Sequence, residues 1–304
     1  MKSTIEFDRD GLTLVGDLFT PEGFNENGSY PAVIVQGSFS SVKELMPDTY
    51  AEKCSEQGFV ALAFDYAHYG QSAGEPRQLE SPAEKTEDLQ AAVTYLTGLP
   101  YVQRVGMVGV CTSAANAAYL GAAEPRLGAL ATVAAFLPSP TIFTMMYGGG
   151  EGLTARRAQA QESRRKFEQT GEVDVVPAYS ETDPSAINYG PAGSFEYYLN
   201  PARAAILAYR NETALMSLTE FLQFDPVSQA PAISVPTIVV HSTSRPSPTR
   251  PRRSTRASRA RRNSCGPTGT TTTTTTPRPR STTPWPTSAG SSAPTWPPDP
   301  SRAT

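Results

Sequence analysis

Histidine is almost absent from this chain: its 304 residues hold two, His68 and His241. Any chemistry that needs an imidazole base has those two positions to draw on. Cysteine is scarce as well, at three residues (Cys54, Cys111 and Cys265), too few to build a disulfide framework. No run approaches the roughly 18 apolar residues of a membrane span. The opening "MKSTIEFDRDG" lacks the apolar core of a signal peptide. The chain is therefore expected to be soluble and cytoplasmic, with no membrane contact. No metal or cofactor is expected.

The largest absence is regional. From Thr243 onward there is no Val, Ile, Leu, Met, Phe or Tyr, and no Lys. Eleven of the 26 basic residues fall there, all Arg, with one acid, Asp299. Residues 1–242 keep 15 basic and 28 acidic residues. The body is acidic, which argues against nucleic-acid binding by its surface. The tail cannot bury enough apolar area to offset an ordering cost of about 1–2 kcal/mol per residue, so 243–304 is expected to be disordered.

Within 1–242 the apolar pattern is rich. "TIEFD" and "LTLVGDLFTP" alternate around Asp10-Gly11, which predicts a β-hairpin. "PAVIVQG" (31–37), "FVALAFDY" (59–66), "RVGMVGV" (104–110), "LGALATVAAFLP" (127–138) and "VPTIVVHS" (235–242) are continuous apolar runs that suit strands buried on both faces. Helices are predicted between them. "PDTYAEKCSEQG" (47–58) stops at Gly58. "SPAEKTEDLQAAVTYLTGLP" (81–100) opens with a Ser81/Glu84 capping box and aligns Leu89, Val93 and Leu96 on one face. "TSAANAAYLGAAEP" (112–125) is rich in small residues. Strands alternating with helices imply right-handed crossovers and a mostly parallel sheet, an α/β architecture. Residues 139–230 break the alternation with a polar helix, an aromatic loop "GSFEYYLNP" and a helix "ETALMSLTEFLQF". They are expected to form an inserted cap over the carboxyl edge of the sheet. The runs Arg156-Arg157 and Arg164-Arg165-Lys166 are expected on a solvated helix face.

One stretch carries chemistry. In "GMVGVCTSAANAAY" (106–119) a buried strand ends in Gly109-Val110-Cys111 and a helix starts at once. A nucleophile at the tip of such an elbow has the pattern Gly-x-nucleophile-x-Gly. Gly109 fills the first small position. Ser113 stands at the second, where glycine is usual. A cysteine there meets a helix N-terminus, which favours the thiolate. The local sequence leaves two readings open, a nucleophile or a buried inert cysteine. An oxyanion site would draw one N–H from Thr112 and another from Ser38 or Phe39, in the Gly/Ser loop "QGSFSSVKE".

The segments "GSFSSVKELMPDTYAEKCSEQGFVALAFDYAHYGQSAGEPRQLESPAEKTEDLQAAVTYL", "VGVCTSAANAAY" and "YYLNP…FDPVSQAPAISVPTIVVHS" together resemble the α/β-hydrolase fold. Within it, they resemble the dienelactone-hydrolase-like hydrolases, including the branch similar to fungal polyketide transferases. The resemblance spans 1–242. It implies a Cys or Ser nucleophile, here Cys111, an acid just after "VVHS", and a histidine some thirty residues further on. The chain departs from that pattern: Thr243 stands at the acid's position and no histidine follows His241. His68, in the loop after the strand 59–66, is expected to be structural or pocket-lining, and His241, at the end of a buried strand, to be a core residue or to line the pocket near the site. The seven threonines Thr270 to Thr276 suggest a cause. Threonine codons have the form ACN, and one base earlier they read NAC, which encodes only His, Asn, Asp or Tyr. The same shift permits Asp at 243. The chain from about 243 is therefore read as frameshifted, against the alternative of a genuine low-complexity extension.

These observations point to an acyl-transfer hydrolase of an ester, lactone or thioester small molecule, impaired by the missing acid and histidine. Three alternatives stay open: an acyltransferase in secondary metabolism, a non-catalytic small-molecule-binding protein of the same fold, and an adaptor whose Arg-rich tail binds anionic partners. Substrate identity and oligomeric state have no signature in the sequence.

Overall fold

The protein is described by a computed structural model over residues 1–203 and 205–241. Strands β1 (Lys2–Arg9) and β2 (Leu12–Phe19) form the expected hairpin, with Arg9 opposite Leu12. Its turn residues Asp10 and Gly11 both have positive φ, 51° and 87°, as a two-residue turn between right-twisted strands requires. β3 (Tyr30–Gln36), β4 (Val60–Phe64), β5 (Val102–Val110), β6 (Leu127–Val133) and a final strand, β11 (Thr237–Val240), complete a seven-stranded sheet in the order β1-β2-β4-β3-β5-β6-β11. All pairings from β4 to β11 are parallel.

Helix α1 (Met46–Glu56) covers one face, its Ala51 packing with Val33, Val35, Ala61 and Ala63. Helices α2 (Pro82–Thr97) and α3 (Ser113–Ala123) cover the other, where Leu89, Val93, Leu96 and Leu120 meet Ile34, Leu62 and Met107. Each such side chain contributes about 1.5–3 kcal/mol by leaving water. The carboxyl ends of β3, β4 and β5 thus open onto one edge, where ligands bind in folds of this kind.

Residues between β6 and β11 build a second apolar cluster beside that edge. It comprises α4 (Pro140–Met146), the polar helix α5 (Gly150–Thr170), short strands β7 (Val175–Pro177), β8 (Tyr179–Ser180), β9 (Asn188–Tyr189) and β10 (Glu212–Ala214), and short helices α6 (Glu196–Leu199) and α7 (Leu218–Phe221). Phe143, Leu153, Tyr179, Ile187, Leu218 and Phe221 converge on Phe39 and on Ala115 of α3.

Four details differ from expectation. The helix foreseen over "ETALMSLTEFLQF" is a strand, β10, followed by a 3-10 turn and one turn of α-helix, because β10 pairs with β7. Half of the capping box forms: Ser81 Oγ accepts from the Glu84 N–H, while the Glu84 carboxylate turns to Arg9 and His68. Arg156 does not project from a solvated face. Its guanidinium donates to the carbonyls of Pro184, Ser185 and Ala186 and lies over the Tyr147 ring. β11, expected to be buried, is exposed along its length, with Ile238, Val239 and Val240 at 60, 65 and 51%. It pairs with β6 alone among the described residues. The tail 243–304 lies outside the described residues.

Candidate active site

β5 delivers its last residues to the open sheet edge, and α3 departs from the same point. Between them Cys111 has φ +56°, and Thr112 is already helical. A left-handed conformation costs a non-glycine residue about 1–2 kcal/mol and persists only where its surroundings hold it. Here the Cys111 N–H donates to the Val133 carbonyl at 3.0 Å, and its own carbonyl accepts from Phe136 at 3.0 Å and Ala114 at 3.1 Å. The turn is tight enough that a Cβ on Gly109 would lie 2.3 Å from the Ser113 carbonyl oxygen, so glycine is required there. Ser113 is accommodated where glycine is usual: its N–H donates to the Gly37 carbonyl at 3.1 Å and its Oγ lies 3.4 Å from the Tyr66 hydroxyl.

The local electrostatics correct one expectation. Burial pushes the Cys111 thiol up, and contacts with the Thr112 hydroxyl and N–H offset this in part. The net direction opposes the thiolate expected at the helix start. The phenols of Tyr179 and Tyr198, stacked on each other with ring centroids 4.1 Å apart, interact electrostatically with Cys111.

Ser38, Phe39 and Thr112 are 2, 3 and 2% exposed. Among the described residues none of their backbone N–H groups donates to an oxygen acceptor. A buried unpaired donor costs about 1–3 kcal/mol and is rare. Two such donors, on Ser38 and Phe39, together with the Thr112 N–H that meets the Cys111 sulfur, are available to receive an oxyanion.

A cavity of about 460 Å³ lies nearby, lined by Phe136, Met146, Tyr147, Ile187, Tyr189 and Phe195 among others, with Arg156 at its side. Cys111 is not in its wall. The connection runs through Phe136, whose N–H binds the Cys111 carbonyl.

The two histidines sit elsewhere. His68 is buried with φ +72°. Its Nδ1 lies 3.0 Å from the Pro76 carbonyl and its Nε2 2.9 Å from Glu84 Oε2. Both nitrogens are thus engaged in a network with Arg9, and neither contacts Cys111. His241 follows the exposed strand β11 and is itself exposed, not a core residue. Position 243, where the acid is expected, lies outside the described residues. Among the described residues no cluster of His, Cys, Asp or Glu has the makings of a metal site, and no helix is long and apolar enough to cross a membrane.

Sequence reasoning missed the tyrosines. Tyr198 belongs to the aromatic loop "GSFEYYLNP", but nothing around Tyr179 in "VVPAYSE" marks it. Both come within electrostatic range of Cys111 through tertiary packing alone.

Comparison with known proteins gives the family and the fold of the chain. The family model described as "Dienelactone hydrolase family" matches residues 16–145. The uncharacterized protein YcjY of Escherichia coli is 31% identical over 238 residues, covering 75% of this chain and 76% of that one. The thiohydrolase aneE of Aspergillus aculeatus is 27% identical over 236 residues, covering 74% of this chain and 70% of its own. In fold, the chain is similar to the crystal structure of the α/β hydrolase GrgF from Penicillium sp. sh18, with a TM-score of 0.64 at 23% identity over 79% of this chain and 80% of that one.

Proposed function

We propose, since the chain belongs to the dienelactone hydrolase family of α/β hydrolases, that Cys111 is the nucleophile of an acyl-transfer reaction on an ester, lactone or thioester. One observation carries the assignment: Cys111 occupies a held left-handed turn with the Thr112 N–H at its sulfur, while the N–H groups of Ser38 and Phe39 meet no oxygen acceptor among the described residues. In this reading the sulfur adds to the substrate carbonyl, the N–H groups receive the oxyanion, and collapse expels the alcohol or thiol. The acyl-Cys111 intermediate then passes its acyl group to water or to another acceptor. The kinship with a fungal thiohydrolase favours a thioester. Residues 139–230 act as the cap, and their aromatic cavity takes the acyl chain.

The reading includes an impairment. No imidazole contacts Cys111 among the described residues, and burial raises its thiol. Losing general acid–base help typically costs about 10²–10⁴-fold. The exposed apolar residues of β11 support the frameshift, because an in-frame continuation with an apolar pattern would cover them. Translating the neighbouring frame of the gene is expected to restore such a pattern, with an acid near 243 and a histidine beyond; a frame full of stop codons would sink it.

An aryl ester and an activated thioester test the chemistry. The chain as written is expected to form an acyl adduct at Cys111, seen by intact mass, and then to stall. A frame-corrected version is expected to turn over, and Cys111→Ala to abolish both adduct and turnover. An adduct that survives Cys111→Ala would refute the assignment.

A further inference from the structure

We infer that Tyr179 and Glu80 are positioning residues that hold the oxyanion loop in its working shape by gripping one peptide group from both ends. The inference rests on the proposed role of Cys111 and deepens it. The gripped peptide joins Phe39 to Ser40. Its carbonyl accepts from the Tyr179 hydroxyl at 3.3 Å, and its N–H donates to Glu80 Oε2 at 3.4 Å. A peptide group is planar, so holding its C=O and its N–H fixes the torsions on either side. One of those torsions is φ of Ser40, at +51°, a conformation serine does not keep unaided. Relaxation there would turn the preceding peptides, which carry the N–H groups of Ser38 and Phe39.

Both grips are themselves rigid. The two carboxylate oxygens of Glu80 accept from Lys85 Nζ at 2.6 and 2.7 Å, and Oε2 also accepts from the Tyr69 hydroxyl at 2.9 Å. The Lys85 ammonium lies over the rings of Tyr66 and Tyr69 at 4.6 and 4.9 Å. Tyr66 reaches Ser113, the first residue of α3, so one cluster touches both the loop and the elbow. On the other side, the Tyr179 ring is stacked flat on Tyr198. A buried ion pair of this kind adds little stability over a well-packed apolar pair, because of the desolvation of both charges. Its placement against the loop gives it a use.

Two reagents separate positioning from packing. In p-nitrophenyl acetate the Cys111 sulfur adds to a carbonyl, the S–C(acyl) bond forms, the C–O bond breaks, p-nitrophenolate leaves and the thiol proton goes to solvent. That path passes through an oxyanion. Iodoacetamide is displaced at a tetrahedral carbon, with iodide leaving, and needs no oxyanion site. Both single-turnover rates are measured on the full chain at one pH, by p-nitrophenolate release and intact mass. Tyr179→Phe is expected to slow acylation about tenfold, a fraction of what loss of a whole oxyanion donor costs, and to leave alkylation within about twofold. The double variant Glu80→Gln/Lys85→Met, which removes both charges together, is expected to behave in the same way; if it fails to fold, Tyr179→Phe decides. Acylation at the wild-type rate would overturn the inference, and so would equal slowing of both reactions. Wild-type protein that is alkylated but never acylated would instead overturn the proposed function, and this inference with it.

Discussion

β5 and β11 look alike as text. "RVGMVGV" and "TIVV" are both continuous apolar runs in a parallel sheet, and both were expected to be buried. In the fold they differ sharply. β5 is paired on both sides, by β3 and β6, and its Met107 is 1% exposed. β11 is paired on one side only among the described residues, and its Ile238, Val239 and Val240 are more than half exposed. An apolar run states what a strand can bury, not what covers it. Burial is contributed by neighbours, at about 25 cal/mol per Å² of apolar surface covered, and β11 collects little of it.

The difference makes graded predictions. Met107→Asp in β5 puts a carboxylate into the apolar core without a partner, and is expected to destabilise by about 4 kcal/mol or more. Urea titration, or failure to obtain folded protein, checks it. An intermediate effect is expected at the opposite edge of the sheet, where β1 is tied to α2 through Arg9 and Glu84. Hydrogen bonding to His68, and then Arg9, holds the Glu84 carboxyl down at about 2, against a usual 4.5. A carboxyl depressed on folding contributes stability above its unfolded pKa, and that contribution fades as pH falls through the folded value. The stability difference between wild type and Glu84→Gln is thus expected to be full above about pH 4.5 and to vanish near pH 2, by urea titrations at successive pH values. A difference that grew on acidification would show that Glu84 is not the stabilised anion. The smallest effect belongs to β11: Val239→Asp is expected to change stability by no more than about 0.5 kcal/mol, read in the same titration. A loss as large as that of Met107→Asp would mean that β11 is covered.

The elbow was legible because its demands are local. A glycine must stand where α3 passes the strand, a nucleophilic side chain must stand two residues on, and both are written in six residues from Gly109 to Ala114. The loop "QGSFSS" was legible for the same reason, as the turn after a buried strand. Tyr179, Glu80 and Lys85 were not. Tyr179 is 140 residues from the Phe39 carbonyl it holds, and Glu80 is 40 from Ser40. Distance along the chain leaves no periodicity to read. The structural role expected of His68 is met by Pro76 and Glu84, partners that no spacing rule names.

The sequence by itself determined the alternation of strands and helices, the parallel sheet, the family and the place of Cys111. Each of these follows from side-chain period, small residues at close approaches and the torsions that a short segment permits. The tertiary structure alone decided the burial of the Cys111 thiol, the peptide held between Tyr179 and Glu80, and the exposure of β11. Those depend on which distant groups exclude water from a given atom, and desolvation is a property of the assembled surroundings, not of the residue.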